Sequence, residues 1–435
     1  MKKALSVIIS LMLTVSLFVG CQKNESKTTV QGTSTTTKEQ STKEATKEPV
    51  KLSVSHWIDD VNNYFPVVEE EMKKMYPEIT ITWEKIQGDQ YDKILNTKLL
   101  AGEAADVIFN HETKKLAKAG YLEDLSSEPF IPRMLDGVKP IVTYKGKIYG
   151  VSLDISTFGA FYNKKAFDEM GLKEPVTWKE FIALCDQIKA GGKIPFVVGA
   201  KDVWPLVAFI FPITQNSTFG NNMNFGKDLY DGKIKMSDTG FKDALDKYTQ
   251  LVKNGYFSKN TMGVGMDQSI QDFIDGKGLM ILHGSWWPAV VSGKNKDMEI
   301  GFFPVPPDNG TELVMASGPD KILSINAKSK NIDVSKKFLE VATSQQALSV
   351  YCKNAALPGF KDIKAEFSLV MTKVAETVAS SKTALNYDNY ITKSANDILN
   401  KSLSAIMAGG NPDNVIEEMD AAYQRDKEKM DTFFE

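Results

Sequence analysis

Three cysteines and three histidines in 435 residues leave little material for metal or redox chemistry, and neither a metal ion nor a cofactor is expected. His56, His111 and His283 stand far apart, and no HExxH, GxSxG, P-loop or GxGxxG occurs. Several large enzyme classes are thereby disfavoured, although two carboxylates on separate strands would leave no motif to read. A basic block is also lacking: 52 Lys and Arg face 55 Asp and Glu, a net charge of −3, which argues against nucleic acid as a partner.

Long apolar runs are scarce too. The clearest, Ala4 to Gly20 behind Lys2 and Lys3, is too short and too interrupted by Ser and Thr for a membrane span, and reads as a secretory signal. It ends in Leu17-Phe18-Val19-Gly20-Cys21, which resembles the lipobox of bacterial lipoproteins, with Phe18 where that pattern usually has Leu. The resemblance implies cleavage before Cys21 and acylation of its thiol. Each buried acyl methylene contributes about 0.8 kcal/mol, so several chains would hold the protein on the outer face of a membrane. Residues 22–49 mix Thr, Ser, Lys and Glu with almost no apolar side chains, a composition expected to stay a flexible tether.

Without residues 1–20 the chain has 415 residues and loses Lys2 and Lys3, bringing its charge to −5. That length exceeds one compact core, so two lobes are expected. Cys185 shares an apolar face with Phe181, Leu184 and Ile188 and is expected in the core; a disulfide to Cys352 is the other reading.

The body opens with the strand KLSVSH, then an amphipathic helix closed by Pro77, the strand ITITWEKI, a helix from about Gln90 stopping at Ala101-Gly102, and the buried-type strand ADVIFN. This βαβαβ order implies parallel strands. Thr177-Trp178-Lys179-Glu180 is a capping box opening a helix that ends at Gly191, a residue suited to a left-handed cap. Strands return late, in MEIGFFPVP and DKILSIN, as though the chain revisits a lobe it had left. Asn411-Pro412 is the expected start of the last helix.

LLAGEAADVIFN, AGYLEDLS, YKGKIYGVSLDISTFGAFYNKKAFDEMGL with VTWKEF, FIDGKGLMILHGSWWPAVV and INAKSKNIDVSKKFLEVATSQ, in that order and spacing, resemble the extracellular solute-binding proteins of bacterial ATP-driven importers, in the carbohydrate-binding family that includes maltose-binding protein. The likeness runs from about 52 to 430. It implies an α/β, two-lobed periplasmic-binding-protein-like fold of type II whose lobes are joined by three hinge crossings. The expected division is 51–155 with 310–329 as the N-terminal lobe and 156–309 with 330–435 as the C-terminal lobe. Crossings are expected near 154–157, 306–312 and 328–331.

A carbohydrate presents hydroxyls around apolar C–H faces, so its site needs flat aromatics beside carboxylates and amides, gathered at the carboxyl ends of strands. Trp57 and Asp59 follow the first strand, and Asn110 and His111 follow the third. Asp154 lies at the first crossing, where a buried acid needs a partner and a ligand hydroxyl is one. Trp286 and Trp287 follow His283-Gly284, and adjacent side chains diverge, so one is expected in the cleft and the other in the core, with family position favouring Trp286. Trp204 is a further aromatic candidate with a core role as the alternative. Gly318 and Asp320 precede a returning strand, with Gly318 letting backbone approach ligand. Tyr387 and Tyr390, in NYDNY, occupy a region where relatives carry a stacking aromatic.

The function expected is capture of a sugar by a monomer that delivers it to an ABC permease at the membrane of a Gram-positive cell, without covalent chemistry. The competing reading is a surface-anchored glycoside hydrolase, which would need two carboxyl groups about 5–9.5 Å apart across one bond. A receptor for a polyamine, peptide or metal complex is a third.

Overall fold

The computed structural model describes residues 50–58, 63–308 and 311–434. Cys21, the segments on either side of it and Asp59 fall outside the described residues. Among those described, no helix is long and apolar enough to cross a membrane.

The strands in chain order are β1 (Lys51–His56), β2 (Thr80–Lys85), β3 (Val107–Asn110), β4 (Thr143–Tyr144), β5 (Lys147–Ile148), β6 (Val151–Ser152), β7 (Asp154–Asn163), β8 (Ile194–Phe196), β9 (Gly278–Gly284), β10 (Ile300–Phe303), β11 (Val314–Pro319), β12 (Ile322–Ile325), β13 (Leu357–Pro358) and β14 (Lys382–Ala384). They form two main sheets. The first has the order β2-β1-β3-β12-β6, with β1 parallel to both β2 and β3 and with β12 antiparallel to β3 and β6. The second runs β14-β11-β7-β9-β8, with β10 and β13 also pairing with β7. The expected parallel βαβαβ opening is the edge of the first sheet.

Local chemistry accounts for the elements. The helix Tyr64–Met75 buries Tyr64, Phe65, Val68 and Met72, a helical stripe, and stops before Pro77. The helix Gly88–Ala101 ends at Gly102, whose φ of +73° no side-chain-bearing residue adopts without strain. Thr177 accepts a hydrogen bond from the Glu180 N–H at 3.2 Å, while the Glu180 carboxylate accepts from the Val176 N–H at 2.8 Å, one residue ahead of the position a capping box uses. The left-handed residue after that helix is Gly192 (φ +75°) rather than Gly191. The late helix begins at Val415 after Asn414, which takes a left-handed conformation (φ +56°) and makes no side-chain cap bond, three residues past the expected start at Asn411.

Each main sheet has its own core. Leu52, Val54, Phe109 and Leu323 belong to the first, and Phe181, Phe196, Leu282 and Phe303 to the second. Fully burying such a side chain contributes about 1.5–3 kcal/mol. Cys185 lies in the second core and Cys352 in the first, both as free thiols, so no disulfide joins them.

Among the described residues the buried core changes from one body to the other at three places, with β13 touching β7 just before the last of them, and two of the three differ from expectation. The first lies around Leu153, between β6 and β7, just before the expected 154–157. The second lies at Asp320-Lys321 rather than 306–312, because β11 still pairs with β7 while β12 pairs with β3. The third falls between Ile363 and Met371 rather than at 328–331, where Ser329 and Asn331 bond Asp106 and Lys51 of the first sheet. The helices Ile332–Ala342 and Gln345–Ala355, expected with the second lobe, therefore bury Phe338, Leu339, Leu348 and Tyr351 in the first core, although Gln345–Ala355 also meets the helices Trp287–Lys294 and Leu369–Ser380 of the second body. An amphipathic helix reports that one face is buried, not which sheet buries it.

Candidate ligand-binding site

The first two crossings run side by side: the Leu153 N–H donates to the Lys321 carbonyl at 2.9 Å, and the Lys321 N–H donates to Asp154 Oδ1 at 3.0 Å. Asp154 is fully buried. Its Oδ2 accepts from the Tyr351 hydroxyl at 2.9 Å and lies 3.4 Å from Lys321 Nζ. Lys321 Nζ also pairs with Asp320, whose Oδ2 accepts from the Ser156 hydroxyl at 3.0 Å. Burial raises the Asp154 carboxyl against the opposing pull of Lys321. For Asp320 and Lys321 burial works against charge, yet mutual attraction prevails: Asp320 is held below its ordinary value and Lys321 above its own. Asp154 thus serves as an internal tie between crossings, with its oxygens occupied and no surface left for ligand. Asp320 keeps a quarter of its side-chain surface exposed.

Lys321 reaches onward to the second sheet, where its ammonium sits 4.5 Å from the Trp286 ring centroid. Trp286 is partly exposed and rests over Gly284, where a Cβ would come within 2.1 Å of the ring. Phe158 and His283 meet it edge to face at 5.5 and 5.2 Å. Trp287 turns the other way, fully buried against Phe273 and His283. It is a core residue, as is usual for one of two adjacent aromatics at a strand end. Trp204 is 40% exposed and touches the His283 ring edge-on at 5.2 Å. Burial among these three indoles pushes His283 down to about 3, so its ring is neutral.

From the first sheet, His111 lies 4.0 Å from Trp57 in a tilted stack, and Trp57 packs in turn on Tyr91 and Phe109. Trp57 is therefore a wall for His111 and packs on its lobe. Crowding lowers the His111 pKa, but the Asp92 carboxylate 3.2 Å away outweighs it and holds the imidazole above its ordinary value. Asn110 is buried and internally satisfied, donating to the Ser324 hydroxyl at 2.9 Å and accepting from Thr113 at 2.7 Å. It ties β3 to β12 instead of reaching ligand.

Gly318 pairs with Ser156, and a Cβ there would fall 2.6 Å from Leu385; its role is close packing. Tyr387 is fully buried against Phe211 and Phe241, and Tyr390 packs on Phe219, Phe225 and Phe433. Both are core contacts. They lie three apart in the 3₁₀ turn Tyr387–Tyr390, where positions i and i+3 eclipse, so Asp388, one of the two residues between them, takes another direction. Asp388 is partly exposed. Burial pushes its carboxyl up to about 6, against the pull of His111 and with repulsion from Asp320 adding to it. Gln215 holds the preceding backbone, donating to the carbonyls of Ala384 and Leu385, each at 3.1 Å.

Leu385, three residues before Asp388, lies against Gly318, two residues before Asp320, which sets the turn carrying Asp388 beside the crossing, and His111 and Asp388 both feel the charge of Asp320. Asp388 and Lys321 were missed in the sequence; the signal for the first was an acid flanked by tyrosines in NYDNY. Among the described residues no cluster of three or more His, Cys, Asp or Glu is arranged for a metal ion.

Two α/β bodies joined by three passages, with polar and aromatic groups of both converging at the crossings, define a two-lobed solute-binding fold. The chain belongs to the bacterial extracellular solute-binding protein family, whose sequence pattern matches residues 69–373. It is 27% identical over 335 residues to a multiple sugar-binding protein of Streptococcus mutans, covering 73% of this chain and 79% of that one. An uncharacterised ABC transporter extracellular-binding protein of Pyrococcus horikoshii is 28% identical over 415 residues, or 90% of this chain and 91% of the relative. The fold is shared with the binding protein RafE in complex with raffinose, at TM-score 0.74 and 24% identity over 87% of this chain and all of that one. These relatives are binding proteins rather than enzymes.

Proposed function

We propose that this chain is the substrate-binding component of an ABC sugar importer, which captures an oligosaccharide between its lobes and delivers it to membrane permease subunits. The observation that carries the reading is the convergence of a partly exposed tryptophan, Trp286, with Asp320, Asp388 and His111 from elements of both sheets. Carboxylates accept hydrogen bonds from sugar hydroxyls, and a partly exposed indole offers apolar surface to the C–H faces. Ligand touching both lobes at once stabilises the closed form by population shift, and no bond is made or broken. The multiple sugar-binding relative and the raffinose-bound structural neighbour support the same class of ligand.

Acylated Cys21 would keep the monomeric receptor on the extracellular face of a single-membrane cell, with residues 22–49 as its tether. Partition of the wild-type protein into detergent, lost in Cys21→Ala, checks the anchor. Thermal unfolding against mono- and oligosaccharides, repeated with Trp286→Ala, tests the ligand. A sugar-dependent rise in Tm, reduced in the variant, is expected. Release of hydrolysis products would instead establish a glycosidase.

A further inference from the structure

We propose that the cleft discriminates against acidic sugars and that Asp388 is the residue setting this preference. The inference rests on the sugar-binding reading and concerns the charge of its ligand. Two basic groups belong to this neighbourhood, and both are engaged: Lys321 lies between Asp154 and Asp320, and His111 faces Asp92. Asp388, partly exposed, accepts from the Asn389 side-chain amide at 3.3 Å and from backbone N–H groups of its own turn, and among the described residues it has no ion-pair partner. A ligand hydroxyl can donate to this carboxylate, which strengthens as water leaves the closing cleft. A ligand carboxylate would meet like charge there, with no unengaged cation among these groups to receive it.

The test is titration of the wild-type protein and Asp388→Asn with neutral oligosaccharides and with counterparts in which one hexose is replaced by the hexuronic acid. Neutral sugars are expected to bind wild type at least tenfold more tightly than their acidic counterparts, and Asp388→Asn should bring that ratio within about threefold. Equal or tighter binding of the acidic series by wild type overturns the selectivity, and an unchanged ratio in Asp388→Asn overturns the assignment to this residue. Failure of every sugar, neutral ones included, overturns the sugar reading and this inference with it.

A separate set of contacts carries a second inference: the segment Asp431–Phe434 is a latch between the lobes. Its anchor is on the second body, where Phe434 stacks on Tyr230 at 4.3 Å, the Tyr230 hydroxyl donates to Asp431 at 2.7 Å, and Phe433 packs on Tyr390 at 5.3 Å. Its reach is to the first body. Lys114 donates to the Phe433 carbonyl at 3.1 Å and lies 5.7 Å from that ring's centroid. Lys114 rides on the helix Thr113–Lys118, which is rooted in the first core by Leu116 and Ala117 and starts two residues after His111. Opening the cleft must break or stretch these contacts, so the latch biases the ligand-free protein toward closure and positions the helix next to the site.

Small-angle scattering of ligand-free protein reads this directly and needs no sugar. Lys114→Met, which keeps the stem but loses the donor, and Phe434→Ala, which removes the anchor, should each increase the radius of gyration, with Lys114→Arg close to wild type. Unchanged radii in both variants overturn the latch, even if Tm falls. Where a sugar binds, both variants should weaken it at least threefold without removing any group that faces it.

Discussion

Replacing Lys321 by Met removes the one cation between two carboxylates while nearly preserving side-chain volume. Lys321 is only 5% exposed and Asp154 not at all, so water cannot replace the lost charge. Breaking a buried pair by deleting one partner destabilises by about 3–5 kcal/mol, and loss of the cation over Trp286 removes about 0.5–2 kcal/mol more. The expected result is a fall in unfolding free energy of roughly 3 kcal/mol or more, seen as a lower urea midpoint by tryptophan fluorescence. The pH dependence has a definite sign. Burial already raises Asp154 above its unfolded value, and losing Lys321 raises it further. A carboxyl with a raised folded pKa binds its proton preferentially in the folded state, so the penalty is full at neutral pH and relieved as pH falls toward the unfolded value near 4. The deficit of Lys321→Met should therefore shrink between pH 7 and pH 4.5, and Asp154→Asn in the same chain should recover part of it at pH 7. A loss under about 1 kcal/mol, the range of an exposed pair, or a deficit that grows on acidification would refute the account of the crossing as a buried charge cluster.

The adjacent tryptophans should separate stability from binding. Trp287→Ala is expected to cost about 3–5 kcal/mol in denaturant unfolding, whereas Trp286→Ala should lose sugar affinity with a smaller stability change. In imidazole NMR titrations His283 should show no transition between pH 5 and 8, since burial holds it at about 3, while His111 should titrate above the ordinary histidine value because of Asp92. Cys185 and Cys352, both buried with thiols pushed well up, should resist a thiol reagent in the native protein and react fully once it is unfolded.

Much of the fold was legible because its signals are local. The strand, helix, strand alternation before residue 110 appears where the periodicity placed it, and Pro77, Gly102 and Thr177 end or begin helices by backbone chemistry that needs no distant partner. The site was legible only as a neighbourhood. Of the residues singled out, Trp286 and Asp320 are linked through Lys321 and His111 lies within the charge of Asp320, whereas Asn110, Asp154, Tyr387 and Tyr390, from the same segments, are internal.

Sequence alone determined a length beyond one compact core, a parallel opening sheet and, at 283–287, a strand ending in diverging tryptophans. Tertiary structure decided which polar groups are free. Lys321 meets Asp154 across 167 positions and Tyr351 meets it across 197, and no local pattern announces such pairings. The helices at 332–355 show the same limit: their amphipathic stripes demand burial, but only the return of β12 to the first sheet brings that core within reach. Periodicity follows from backbone geometry over a few residues, whereas the satisfaction of a buried charge depends on whatever the rest of the chain brings against it.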